Sequence, residues 1–106
     1  MTREAAGSSP APRAEKLYAI TRADLPAGLR TAQVGHALIQ WTLEHGQPPE
    51  SLVILQVADV AALRCVYDLL HGRVVAFHEP DLDGALTAIA AGPEHRRALS
   101  SLPLLR

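Results

Sequence analysis

From Lys16 onward the apolar positions follow two rhythms, short unbroken runs and longer helical ones. LYAIT is a short apolar run closed by Arg22, Asp24 and Pro26, which predicts a buried strand ending in a loop. LRTAQVGHALIQWTLEH then continues for helical length, bounded by Gly28 before it and by Gly46, Pro48 and Pro49 after it, and predicts a long first helix. SLVILQV reads as a second strand. Asp59 is placed to cap VAALRCVYDLLH, where Val60, Leu63, Val66 or Tyr67, and Leu70 recur at helical spacing before Gly72. RVVAFH predicts a third strand and LTAIAA a fourth, joined by the acidic segment EPDLDG, and Pro93 opens a last helix through HRRAL.

Long crossovers make the first three strands parallel, whereas the short EPDLDG connection favours an antiparallel final pair. The expected fold is α/β, three layers α/β/α, around a mixed four-stranded sheet with its last strand antiparallel. One domain over residues 16–106 carries it. Residues 1–15, MTREAAGSSPAPRAE, offer too little apolar surface to offset the entropy of ordering them and predict a flexible tail. Sites in open sheets of this kind form outside the carboxyl ends of parallel strands, which brings RADLPAG and HEPDLDG to one rim.

Composition narrows the function. A chain of 106 residues, 48% apolar, supports one core. A net charge of −1 excludes a histone-like or tail-driven nucleic-acid binder, though not a local basic patch. With a single cysteine there is no intramolecular disulfide, no CxxC pair and no Cys-based zinc site, and Cys65 reads as a buried, inert thiol. No apolar stretch nears the roughly 20 residues that span a bilayer. The expectation is a cytoplasmic protein without a membrane partner.

Gln33, His36 and Gln40 fall at i, i+3 and i+7 of the first helix and share a ridge, with the small Gly35 and Ala37 beside His36. The ridge is either a solvated stripe or a site at which His36 works. EPDLDG supplies Glu79, Asp81 and Asp83, enough carboxylate to orient a water or fix a histidine tautomer, and equally the ordinary content of a surface turn. Thr87 opens the fourth strand and is either a plain strand residue or a hydroxyl for the same rim. Arg13, Lys16, Arg22 and Arg30 make the first third locally basic, either as solvated charge or as a phosphate-contacting rim. The other histidines lack metal-ligand spacing, and no GxGxxG, P-loop or GxSxG occurs, so no metal or cofactor is expected.

As an ordered set, KLYAITRADL, AQVGHAL and LTAIAAGP resemble the type 2 peptidyl-tRNA hydrolases and their bacterial and phage relatives. In that family a strand starting with Lys and ending in Arg-x-Asp-Leu leads into a helix with Ala-Gln-x-x-His-Ala, and a late strand reads Thr-x-x-Ala-x-Gly-Pro. Here these are Lys16, Arg22, Asp24, Leu25, Ala32, Gln33, His36, Ala37, Thr87, Ala90, Gly92 and Pro93. The resemblance implies the same mixed sheet and a metal-independent hydrolysis of the ester between a peptide and the terminal ribose of tRNA. It implies His36 oriented by Glu79 or Asp81 as the water-activating group, Thr87 and Gln33 on the ester, and Lys16, Arg22, Asp24 and Arg30 at the tRNA 3′ end. Two segments differ from the family: PAGLRT stands where it carries Gly-Lys, and HEPDLDG where it carries Asp-Ala-Gly-x-Thr. Those departures keep a second expectation open, a non-catalytic module of the same fold that binds tRNA or a protein. A homodimer through the apolar helix or the SSLPLL segment is compatible with either.

Overall fold

A computed structural model describes residues 15–104. Along the chain run β1 (Lys16–Arg22), α1 (Ala27–His45), β2 (Ser51–Val57), α2 (Val60–Leu69), β3 (Val74–Glu79), β4 (Ala85–Ala91) and α3 (Arg96–Leu99), with 3-10 turns at Pro80–Leu82 and Pro93–His95. The strands lie in the order β2-β1-β4-β3. β1 and β2 are parallel, with Lys16 opposite Ser51 and Arg22 opposite Val57. β4 enters between β1 and β3 and is antiparallel to both. The first three strands therefore point one way and the last the other, as the connection lengths require.

Alternation along β1 divides the core between two faces. Tyr18 and Ile20 pack with Leu63 of α2, Leu70 just beyond it and Leu99 of α3. Leu17 packs on the other face with Ala37 and the 2%-exposed Trp41 of α1. The three-layer α/β/α arrangement follows directly. Asp59 caps α2 by accepting a hydrogen bond from the Ala62 N–H. Gly46 ends α1 in the left-handed region at φ 81°, its N–H donating to the Thr42 carbonyl.

β4 departs from strict alternation. Phe77 pairs with Ala88 but His78 with Leu86, so Thr87 is the extra residue of a β-bulge. Ala88 packs with the α1-side core, and the Thr87 hydroxyl turns to that same side, where it meets Gln33.

Two corrections concern single residues. Cys65, expected in the core, is exposed: it follows the fully buried Leu63 by two residues, about 200° round the helix. Glu15, grouped by composition with the tail, belongs to the fold. Its carbonyl accepts from the Glu50 and Ser51 N–H groups, and its carboxylate takes the Arg73 fork at 3.2 and 3.0 Å. Residues 1–14, the rest of the expected tail including Arg13, lie outside the described residues. Arg73 also pairs with Glu94 and lies 5.5 Å from the centroid of Trp41, closing the sheet end opposite the rim. The free edge of β2 is partly covered by the C-terminal segment, where the Gln56 N–H donates to the Pro103 carbonyl and Leu55 bridges Leu104.

Candidate functional site

The carboxyl ends of β1 and β3, the start of β4 and the first half of α1 meet at one rim. Phe77 and Glu79 stand two apart on β3 and so share its α1-facing side. Across from them, Gln33 and His36 leave α1 in different directions. Gln33 is 1% exposed, on the inward face with Val34 and Ala37, while His36 is exposed. The ridge seen in the sequence therefore straddles the boundary between core and solvent.

Gln33 joins three elements. Its Nε2 donates to Glu79 Oε1 at 2.8 Å, and its Oε1 accepts from the Thr87 hydroxyl at 2.6 Å. Thr87 is fully buried, and its carbonyl accepts from the equally buried Thr21 hydroxyl at 2.9 Å. The second Glu79 oxygen accepts from the Asp81 backbone N–H at 3.1 Å. Two donors on one carboxylate favour its ionised form. The Gln33 amide, then the Asp81 N–H, and more weakly the charge of His36 hold Glu79 below the usual carboxylate range against the opposing effect of desolvation. Between Glu79 and Asp81, which the sequence left open, Glu79 is the one tied to the ridge; Asp81 contributes its backbone and exposes its side chain.

Among the described residues, His36 is steadied by a ring and no carboxylate bonds to it. It stacks on Phe77 with centroids 4.8 Å apart and planes 12° from parallel. Sequence reasoning gave Phe77 no role at the site; its signal was the two-residue spacing to Glu79 on an alternating strand.

The cations are dispersed. Arg22 grips both oxygens of Asp24 at 2.9 and 3.0 Å and donates to the Leu86 carbonyl at 3.1 Å, so its fork is already engaged. That pairing raises the guanidinium's pKa and lowers that of Asp24. Arg30 reaches toward β2, donating to Gln56 Oε1 at 3.2 Å, and its buried Nε has no partner among the described residues. β2 and β3 lie three strand spacings apart, about 14 Å, so Arg30 and His36 occupy opposite sides of the rim. Lys16 begins β1, about 20 Å along the strand from Arg22, and does not join the rim.

Among the described residues no group of three His, Cys, Asp or Glu side chains is arranged to hold a metal ion, and no helix is long and apolar enough to cross a membrane. No protein-family model matches this chain, and no curated protein matches it.

Proposed function

We propose that this protein is a metal-independent hydrolase of peptidyl-tRNA or a similar aminoacyl ester, working in the cytoplasm without a cofactor. The observation that carries the reading is the exposed His36 ring clamped on Phe77 beside a carboxylate fixed by Gln33. A carboxylate held below its usual range is a poor proton acceptor at neutral pH, so Glu79 supplies charge and His36 accepts the proton. In this scheme His36 takes a proton from water as the oxygen attacks the ester carbonyl. The tetrahedral intermediate collapses with departure of the ribose oxygen, which receives the proton from the imidazolium, giving free tRNA and a peptide acid. Glu79 stabilises the transient imidazolium by its charge. Thr87 and Gln33, both buried and mutually bonded, act behind the site and not on the ester. The tRNA 3′ phosphates would be met by Arg30, or by Arg22 after release of Asp24.

Release of tRNA from an N-acetylated aminoacyl-tRNA in EDTA tests this. Turnover by the wild type that His36→Ala loses is the expected result; equal turnover by a folded His36→Ala variant would remove His36 from the chemistry.

A non-catalytic module is the second reading, favoured by the engagement of Arg22 with Asp24 and the burial of the Thr87 hydroxyl. Salt-dependent tRNA binding without hydrolysis would select it. A homodimer fits either reading, because Ile39 and Leu43 leave the outer face of α1 apolar at 59% and 79% exposure. Light scattering would reveal it.

A further inference from the structure

A glutamine inside an apolar helix face needs a reason. Gln33 lies among Val34, Ala37 and Trp41, all buried, and an amide there is costly unless both of its ends are bonded. An apolar side chain of similar length would fill the same space with no such requirement. What an apolar side chain cannot do is hold a carboxylate.

The amide has only one workable orientation. The ionised Glu79 accepts and cannot donate, so it must face the NH2 of Gln33, which leaves the Gln33 oxygen facing Thr87. The Thr87 hydroxyl must then donate, and its single hydrogen is spent at 2.6 Å on Gln33, not at 3.5 Å on the Phe77 carbonyl. The bulge makes this reach available, since in an unbroken strand Thr87 would face away from its neighbour Ala88 and from α1. The Thr21 hydroxyl holds the other end of the chain by donating to the Thr87 carbonyl.

We infer that Gln33 and Thr87 are positioning residues, forming a one-way relay of hydrogen bonds from the buried bulge of β4 to the rim that fixes the Glu79 carboxylate beside the His36 ring. Its bearing on turnover rests on the hydrolase reading given above; the hold on Glu79 does not. The titratable neighbours of Glu79 are His36 on α1 and Asp81 in the 80–82 turn, while β4 presents the uncharged Thr87 and Arg22 of β1 is bound to Asp24. Of the groups around Glu79, the Gln33 amide does most to hold its pKa down.

The test follows the Glu79 carboxyl carbon by NMR from pH 2 to 6 in the full chain, for wild type, Thr87→Val, Thr87→Ser and Gln33→Met, with thermal unfolding and tRNA-release kinetics on the same samples. In the wild type, Glu79 should titrate below an exposed glutamate. Thr87→Val and Gln33→Met should move that midpoint up toward the exposed value and lower kcat about 10- to 100-fold with KM little changed. Thr87→Ser, which keeps the hydroxyl, should restore both. A wild-type Glu79 that titrates as an exposed glutamate, or a folded Thr87→Val with wild-type titration and kcat, overturns the inference. If the wild type releases no tRNA while the variants still shift Glu79, the relay stands and the hydrolase reading falls. Should both apolar variants fail to fold, the wild-type midpoint decides.

Discussion

The imidazole of His36 and the phenyl ring of Phe77 lie nearly parallel, 4.8 Å between centroids, so an exposed side chain on a helix takes its orientation from a strand. Such a stack contributes about 0.5–1.5 kcal/mol beyond simple burial. Phe77→Leu keeps the apolar contact and loses the plane. It should lower stability by about 1 kcal/mol and kcat by roughly tenfold, measured by urea unfolding and single-turnover kinetics. Unchanged kcat would mean that the ring acts without being held.

Gly35 precedes His36 in mid-helix, yet nothing lies within 4 Å of the Cβ that an alanine would add. Packing among the described residues does not require it. Gly35→Ala should therefore raise stability by about 0.5–1 kcal/mol, seen as a melting temperature higher by a few degrees. A substrate that passes over α1 beside His36 would meet the new methyl group, so KM should rise while kcat holds. A stabilised variant with unchanged KM would place the substrate elsewhere.

At the opposite end of the sheet, Arg73 joins Glu15, Glu94 and the Trp41 ring. Burial works against ionisation of Glu94, but the Arg73 hydrogen bond and the backbone N–H groups outweigh it and lower its pKa. A lowered carboxylate stabilises the fold above the unfolded-state value near 4.5, and that contribution is lost as pH falls through the lower folded value. Arg73 is raised and stays charged throughout, so it adds no slope in this window. Unfolding free energy should fall on acidification below about pH 4.5, and Arg73→Met should flatten that slope while removing about 1 kcal/mol at pH 7. A slope identical to wild type would show that other carboxylates carry it.

The C-terminal segment covers part of the β2 edge, where Leu55 pairs with Leu104 through the Gln56 N–H and the Pro103 carbonyl, and Leu102 packs against the α2-side core. Removing residues 102–106 uncovers backbone groups that invite pairing with another chain. The expected result is concentration-dependent association in light scattering and a loss of about 1–3 kcal/mol. A monomeric truncation with wild-type stability would make the cover dispensable.

Much of the fold was legible because its signals are local. The second strand is found at Ser51–Val57, where the sequence placed it, and Asp59 caps the following helix because a short polar side chain there meets the Ala62 N–H. Helix ends were less legible: α1 begins at Ala27, taking in Gly28, and α2 stops at Leu69, not at His71. At the site, sequence spacing put Gln33 and His36 on one ridge, but a ridge about 60° wide can lie across a burial boundary, and only the packed sheet shows which side each residue takes. The turn of Thr87 toward α1 depends on a bulge, which neither propensity nor alternation marks. Lys16 and Arg22 looked like partners because both are basic, yet an extended strand separates its two ends by its own length.

The strand order carries a consequence for biosynthesis. β1 has its partners at residues 51–57 and 88–91, and the last strand to leave the ribosome, β4, is one of the two central strands of the finished sheet. Ile20 meets Ile89 only after residues 21–89 have been added. Until then β1 keeps one open edge, β3 has no strand to pair with, and Gln33 lacks the hydroxyl that orients it. Contacts so distant along the chain are slow to close. A nascent chain halted before residue 85 therefore lacks the strand that joins β1 to β3 and the Thr87 hydroxyl that meets Gln33.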